Sequence, residues 1–211
     1  MKAFIFDLDG VIVFTDTFHY LAWKKMADDM GIYFDEEINN RLRGVSRMDS
    51  LEIILERYEG EPLSDEKKLE LAAQKNDLYR EYLKTMTRDD VADEVRTTLK
   101  ALRDRGFRIA LGSSSKNAKF ILKQVELTDA FDEISDGTNI TKSKPDPEVF
   151  LKAAEFLGVA PEECYVVEDA EAGIDAAKAG GMTAVGIGDA FRYAKTDIPI
   201  STFGELINII Q

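Results

Sequence analysis

Short apolar runs alternate with longer segments of helical spacing, and this alternation constrains the fold more than any other feature of the chain. Ala3–Phe6 contains no polar side chain, which is typical of a central parallel strand that is buried on both faces. Alternation of such strands with helices predicts a parallel sheet covered by helices. The runs that we expect to form strands are residues 3–6, 107–111, 165–167 and 183–187. The helices expected between and after them are residues 95–105, 117–125, 146–156, 170–179 and 203–210.

Residues 17–87 have a different pattern, in which we find no strand. Four segments show helical spacing there, and Ser64 precedes two acidic residues, as an N-cap residue does. We therefore expect a doubly wound α/β core domain of residues 1–14 and 89–211, with an inserted four-helix cap domain of residues 15–88. Two chain crossings permit hinge closure over a site at the carboxyl ends of the strands. The expected cap helices are residues 18–30, 35–42, 48–58 and 64–86.

Composition excludes two classes of partner. The chain has 27 Lys and Arg against 40 Asp and Glu, a formal net charge of -13. Nucleic-acid binding needs a basic surface, and an anionic membrane repels an acidic protein.

The apolar N-terminal run ends at Asp7, too early for a secretory signal, and no run reaches the roughly 20 residues of a spanning helix. The single cysteine, Cys164, cannot form an intramolecular disulfide. We expect a cytoplasmic protein, monomeric by default, with no nucleic-acid or membrane partner.

Asp7-Leu8-Asp9-Gly10 follows the first predicted strand at its carboxyl end. In extended backbone the side chains of Asp7 and Asp9 lie on the same side, and Gly10 permits a sharp turn. Two neighbouring carboxylates repel each other, so the pair favours a bound cation, and hard oxygen ligands select Mg²⁺. Taken alone, the same four residues are also compatible with an acidic turn that caps a helix.

Glu168 and Asp169 end the predicted strand 165–167 and add acid at the same sheet edge. Lys144 precedes Pro145, which favours extended backbone, and its ammonium is suited to offset phosphate charge. Each of these signals is weak alone, because a solvated strand end and an exposed lysine are common. Together with Asp7 and Asp9 they predict a carboxylate cluster with one cation.

Three hydroxyl side chains, Ser113, Ser114 and Ser115, follow the predicted strand 107–111. Lys116 and Asn117 then lead into a helix. Hydroxyls and free N–H groups at the start of a helix suit a phosphate. A serine-rich N-cap without a ligand is the alternative interpretation of this segment.

In this order, the four segments resemble the four motifs of the haloacid dehalogenase (HAD) superfamily of phosphotransferases over nearly the whole chain. The resemblance implies a HAD-like, Rossmann-type core with an inserted helical cap. It implies that Asp7 is the nucleophile and forms an aspartyl-phosphate, and that Asp9 is the general acid and base. It also implies that Ser113 and Lys144 hold the transferring phosphoryl group. The implied Mg²⁺ ligands are Asp7, the Asp9 carbonyl and Asp169, with Glu168 close by.

The predicted cap contains His19–Trp23 (HYLAW), Gly44–Arg47 with Ser50, and Lys75-Asn76. These segments and the run Ser113–Asn117 resemble the β-phosphoglucomutase subfamily. The resemblance implies interconversion of β-D-glucose 1-phosphate and D-glucose 6-phosphate. The intermediate and priming phosphoryl donor would be β-D-glucose 1,6-bisphosphate. Arg47 would bind the phosphate that is not being transferred, because a guanidinium fork suits that task. His19 and Lys75 would align Asp9. The substrate-binding residues implied by the resemblance are His19, Trp23, Arg43, Gly44, Val45, Ser46, Arg47, Ser50, Lys75, Asn76, Ser113, Ser114, Ser115, Lys116, Asn117 and Lys144.

Two features depart from the subfamily pattern, and two other functions stay open. Arg43 stands where lysine is common, and the hinge segment 13–16 differs from the expected one. Without the resemblance, His19 and Trp23 would be interpreted as packing residues. A sugar-phosphate phosphatase would use the same core residues, because water can replace the sugar hydroxyl. A non-catalytic sugar-phosphate sensor is the third possibility, and the presence of both Asp7 and Asp9 argues against it.

Overall fold

The computed structural model describes residues 2–42 and 45–209. The chain divides into two compact units. The α/β unit comprises Met1–Phe14 and Met86–Gln211, and the helical unit comprises Thr15–Thr85. No helix in the described part of the chain is both long enough and apolar enough to cross a membrane.

The α/β unit is built on a parallel sheet with the strand order β3-β2-β1-β4-β5-β6. Its strands are β1 (Ala3–Phe6), β2 (Arg108–Gly112), β3 (Glu133–Ser135), β4 (Cys164–Glu168), β5 (Thr183–Gly186) and β6 (Ile198–Pro199). Phe6 of β1 is in register with Leu111 of β2 on one side and with Val167 of β4 on the other. The residues that follow these three strands therefore start from the same sheet edge.

Helices cover this sheet, as the alternation of apolar runs predicts. They are α5 (Asp93–Asp104), α6 (Ala118–Gln124), α7 (Glu148–Leu157) and α8 (Glu171–Ala179). Ile5 belongs to a buried cluster with Phe150 of α7, whereas Phe6 stacks on Phe203, with ring centroids 5.4 Å apart. Both Ile5 and Phe6 are fully buried, and each such side chain contributes roughly 1.5–3 kcal/mol to folding. The predicted doubly wound α/β core is thus confirmed, with the added edge strands β3 and β6.

The helical unit contains α1 (Asp16–Asp29), α2 (Glu36–Asn40), α3 (Arg47–Leu55) and α4 (Asp65–Leu83). Trp23, Leu51 and Leu71 belong to its apolar core. The Ser64 hydroxyl accepts a hydrogen bond from the Lys67 N–H at 3.2 Å, so the predicted N-cap is present. Helices α2, α3 and α4 each end two or three residues before their predicted ends, because apolar spacing continues past the last helical hydrogen bonds.

Candidate active site

Three distant segments meet at the carboxyl edge of the sheet. Asp7 directly follows β1, and its N–H donates to the Val167 carbonyl at 3.0 Å. The Lys144 ammonium lies 2.5 Å from Asp7 Oδ1 and 2.5 Å from Glu168 Oε1. Only 9% of the Lys144 side chain and 2% of the Glu168 side chain are exposed. A buried lysine therefore joins the acid that follows β1 to the acid that ends β4.

A cluster of hard oxygen donors surrounds this contact. Asp7, Glu168 and Asp169 each offer a carboxylate oxygen, and these oxygens all lie within 4.8 Å of one another. Oxygen donors in this arrangement fit Mg²⁺. The ligand expected from Asp9 is its backbone carbonyl, so its carboxylate is not required in this group. Asp9 lies in a tight turn, where it forms an isolated parallel bridge with Val13.

Two glycines make room for the acidic side chains. At Gly10, which has φ +88, a Cβ would lie 2.1 Å from Asp169 Oδ2. At Gly173, near the start of α8, a Cβ would lie 1.9 Å from Glu168 Oε1. Neither position can carry a side chain unless the carboxylate moves. The role of Gly10 in the turn was predictable, whereas the only sequence signal for Gly173 is a glycine within a helix.

The electrostatics of the cluster favour an additional cation. Burial raises the pKa of Glu168 above its usual range, although the Lys144 charge opposes that rise. Burial and the charges of Glu168 and Asp7 raise the pKa of Asp169 to about 8. Burial alone would lower the pKa of Lys144, but the charges of Asp7 and Glu168 outweigh it and raise that pKa. One ammonium faces three buried or half-buried acids, so a divalent cation would relieve the remaining repulsion.

The serine segment continues from β2 at the same sheet edge. Ser113 Oγ accepts from the Ser115 N–H at 3.1 Å, and Ser115 Oγ accepts from the Asn117 N–H at 3.2 Å. Ser113 and Asn117 are buried, Ser114 and Ser115 are half-buried, and Lys116 is exposed. Helix α6 begins at Ala118, one residue later than predicted. The segment is thus a structured turn from which Lys116 extends into solvent.

In the helical unit, Lys75 is 97% buried, and its ammonium lies 2.9 Å from His19 Nδ1 and 4.5 Å from the centre of the Trp23 ring. An ammonium can only donate, so Nδ1 accepts and the His19 proton is on Nε2. Burial lowers the pKa of His19 well below its usual value, and the charges of Lys75 and Arg47 lower it further. His19 is therefore a neutral side chain that offers an N–H donor.

Tyr79, which the sequence did not single out, supports this histidine. Its ring stacks on the His19 ring with centroids 4.0 Å apart, and its hydroxyl donates to Thr15 Oγ1 at 3.1 Å. Tyr79 and Thr15 are both buried. The apolar spacing of α4 is the only sequence signal for Tyr79, and it does not distinguish this residue from ordinary core residues.

The remaining expected cap residues lie around the start of α3. Arg47 is the first residue of this helix, and its Nη2 donates to Asn76 Oδ1 of α4 at 2.7 Å. Ser46 is the N-cap residue, with its hydroxyl accepting from the Asp49 N–H, and Ser50 is buried one turn later. Val45 is 41% exposed. Arg43 and Gly44 lie outside the described residues.

Residues 1–181 match the family model of the haloacid dehalogenase-like hydrolases. The chain belongs to this haloacid dehalogenase-like family. A β-phosphoglucomutase from Bacillus subtilis (strain 168) is 42% identical over 207 residues, which cover 98% of this chain and 92% of that protein. The Phosphorylated carbohydrates phosphatase of Thermotoga maritima is 30% identical over 184 residues, 86% of this chain and 82% of that protein.

Among solved structures, the β-phosphoglucomutase of Clostridium difficile is similar with a TM-score of 0.89 and 38% identity. The match covers 98% of this chain and 93% of that one. The fold and the family predicted from the sequence are confirmed. Because named mutases and a named phosphatase are both among the relatives, membership of the haloacid dehalogenase-like family does not by itself separate the two reactions.

Cys164, whose thiol is chemically a possible nucleophile, lies away from the acidic cluster. It is the first residue of β4, whereas Glu168 is the last residue of the same strand. Its side chain is fully buried, and burial raises the pKa of the thiol to about 11. A protonated, buried thiol at the opposite end of the strand cannot compete with Asp7 as nucleophile.

Proposed function

We propose that this protein is a β-phosphoglucomutase that interconverts β-D-glucose 1-phosphate and D-glucose 6-phosphate through β-D-glucose 1,6-bisphosphate. The observation that carries the proposal is the 42% identity to a β-phosphoglucomutase over 98% of this chain. The joining of Asp7, Lys144 and Glu168 at one sheet edge supports it. The cytoplasmic location and the monomeric state expected from the sequence remain predictions.

The residues proposed to hold Mg²⁺ are Asp7, the backbone carbonyl of Asp9 and Asp169, with Glu168 beside them. When bound, the ion would offset the negative charge of the phosphoryl oxygens and of the attacking carboxylate. Lys144 would add a fixed positive charge next to Asp7. Its two carboxylate partners hold the ammonium in place, so little reorganisation is required when an anionic substrate arrives.

Asp7 is proposed to attack the phosphorus atom with a carboxylate oxygen. A new P–O bond forms to Asp7 as the P–O bond to the sugar oxygen breaks, and Asp9 donates a proton to the departing oxygen. In the second half of the cycle, Asp9 takes a proton from a sugar hydroxyl, which then attacks the phosphoryl group on Asp7. General acid and base catalysis of this kind contributes about 10²–10⁴-fold to the rate.

Arg47 is proposed to bind the phosphate that is not being transferred. Its contact with Asn76 orients the guanidinium, and the remaining N–H donors suit two phosphate oxygens at once. His19 and Lys75 are proposed to align Asp9, with His19 contributing its Nε2–H donor. The other proposed substrate contacts are Trp23, Arg43, Gly44, Val45, Ser46, Ser50 and the turn Ser113–Asn117.

The test is to mix purified protein with Mg²⁺, β-glucose 1-phosphate and a trace of the bisphosphate. The proposal predicts glucose 6-phosphate as the product, with no turnover of the α anomer. Formation of only glucose and inorganic phosphate would contradict it. Asp7→Asn is the matched control, because it keeps the shape of the side chain but removes the nucleophile.

A sugar-phosphate phosphatase is the second candidate, favoured by the 30% identity to the Phosphorylated carbohydrates phosphatase. Arg47→Ala distinguishes the two functions. A mutase needs Arg47 for the bisphosphate, so the variant should lose isomerisation. Intact hydrolysis of a monophosphate by the variant, in a protein that never binds the bisphosphate, would support the phosphatase.

A further inference from the structure

The turn Ser135–Asn139, which begins at the last residue of β3, lies directly against the serine segment. The Ser113 N–H donates to the Ser135 carbonyl at 3.0 Å, and the Gly137 N–H donates to the Ser115 carbonyl at 3.2 Å. The hydrogen bonding between β2 and β3 thus continues past both strands into the two loops. Any displacement of the turn is transmitted to the backbone of the serine segment.

Gly137 lets the two loops approach closely. A Cβ at this position would lie 2.4 Å from the Ser114 carbonyl oxygen and 2.8 Å from the Lys116 nitrogen. Both atoms belong to backbone, so neither can rotate away. The stem of Lys116 also crosses this glycine, because its Cγ would lie 2.9 Å from the same Cβ. A side chain at position 137 would therefore displace both the backbone of the segment and the stem of Lys116.

Asp136 closes the turn from inside. Its side chain is almost fully buried, and Oδ1 accepts from the Thr138 N–H at 2.8 Å and from the Thr138 hydroxyl at 2.5 Å. The Asp136 N–H donates to Asn139 Oδ1 at 2.6 Å, and Asn139 Nδ2 donates to Ser135 Oγ at 3.1 Å. The Asn139 N–H also donates to the Asp136 carbonyl at 3.1 Å. Five hydrogen bonds thus hold a five-residue turn, so this turn is a rigid support for the serine segment.

We propose that Asp136 and Gly137 are positioning residues for sugar binding: through the turn they set where Ser114, Ser115 and Lys116 meet the substrate. This inference rests on the proposed function, since it takes the serine segment as part of the sugar site. The hydrogen bonds of Asp136 and Gly137 join them to Ser115, Thr138 and Asn139, and none of these bonds joins them to Asp7, Asp9 or Lys144. The turn should therefore affect substrate affinity much more than phosphorylation of Asp7 by a small donor, which of the serine segment needs only Ser113.

The experiment compares KM for β-glucose 1-phosphate with the rate at which acetyl phosphate, a donor without a sugar, phosphorylates Asp7. Gly137→Ala should raise KM by about tenfold, the effect of losing roughly one hydrogen bond to the sugar. The rate with acetyl phosphate should change much less, because this reaction uses only Ser113 of the serine segment. Gly180→Ala is the matched control, because a Cβ at Gly180 has no neighbour closer than 3.4 Å, and its KM should not change.

Asp136 gives an independent pair of variants. Asp136→Ala removes the acceptor for Thr138 and should raise KM, whereas Asp136→Asn keeps an acceptor oxygen and should restore the wild-type KM. If Asp136→Ala does not fold, the comparison of Gly137→Ala with Gly180→Ala still tests the inference. An unchanged KM in Gly137→Ala, or an equal loss in both assays, would overturn the inference. If the wild type proves to hydrolyse the sugar phosphate, the mutase proposal fails, while the same KM comparison still tests the turn.

Discussion

The ammonium of Lys75 lies 2.9 Å from Nδ1 of His19, the single histidine of the chain. The contact requires an unprotonated Nδ1. An ammonium can only donate hydrogen bonds, so it cannot accept one from a protonated Nδ1. Burial lowers the pKa of His19, and the nearby charges of Lys75 and Arg47 act in the same direction. Folding of the helical unit is therefore coupled to the neutral form of this imidazole.

This coupling predicts a loss of stability in acid. The pKa of His19 is depressed in the folded protein and close to about 6.5 in the unfolded chain. Below that pH the unfolded chain binds a proton that folded His19 does not. The contribution of neutral His19 to the free energy of unfolding is fully present above about pH 6.5. Below that pH it declines by up to about 1.4 kcal/mol for each unit that the pH falls.

Thermal melts of the wild type and His19→Asn at a series of pH values measure this effect. Titration of the many carboxylates is common to both proteins, so their difference isolates His19. The wild type should lose more stability than the variant between about pH 7 and about pH 5. Parallel pH profiles for the two proteins would show that His19 is not held neutral.

The hydrogen bond from Tyr79 to Thr15 should contribute measurably to stability. Tyr79→Phe removes only the hydroxyl and leaves Thr15 Oγ1 buried without this donor. The free energy of unfolding should fall by about 1 kcal/mol. A double-mutant cycle with Thr15→Val in urea checks the assignment, because the two losses should be less than additive. Strict additivity would mean that the bond contributes nothing.

Alanine at position 173 should damage the acidic cluster although alanine favours helices. Exchange of glycine for alanine within an exposed helix normally adds up to about 1 kcal/mol of stability. At Gly173, however, the new Cβ would lie 1.9 Å from Glu168 Oε1. Displacement of that carboxylate should weaken Mg²⁺ binding by about 10–100-fold.

Isothermal titration of Mg²⁺ into Gly173→Ala measures this loss. The control is again Gly180→Ala, at the other end of α8, where a Cβ would make ordinary contacts. Its Mg²⁺ affinity should equal that of the wild type. Equal affinities in both variants and the wild type would refute the role assigned to Gly173.

Replacement of Lys144 should have opposite effects on metal binding and on turnover. Lys144→Met removes the positive charge that lies 2.5 Å from Asp7 Oδ1 and from Glu168 Oε1. The uncompensated acids should then bind Mg²⁺ more tightly, because the ion no longer competes with an ammonium. Turnover should fall by about 10²–10³-fold, since a positioned donor to the phosphoryl oxygens is lost. Weaker Mg²⁺ binding together with slower turnover would instead indicate collapse of the site.

The acids of the cluster could be predicted from the sequence, because the end of an apolar run marks the end of a strand. Asp7 and Glu168 each stand where an apolar run stops, and parallel strands bring such ends to one edge. Lys144 was marked locally only by the following Pro145, which predicts extended backbone but neither burial nor contact with Asp7. Gly173 and Tyr79 were not identified, because helical spacing does not show the side-chain contacts with Glu168 and Thr15 on which their roles depend.

The edge strands show the same limit. β3 and β6 contain three and two residues, which is too short for a pattern of period two to stand out. Yet β3 leads into the turn that holds Asp136 and Gly137. The support of the serine segment is consequently visible only in three dimensions.

The account depends above all on the phosphoryl group being carried by Asp7. The most direct measurement is to mix the protein with Mg²⁺ and the bisphosphate, quench in acid and reduce the acyl phosphate with borohydride, which converts a phosphorylated aspartate into homoserine. Peptide mass spectrometry then shows which aspartate was converted. The account predicts modification of Asp7 in the wild type and of no residue in Asp7→Asn. Phosphate on another side chain, or turnover with Asp7 never modified, would contradict it.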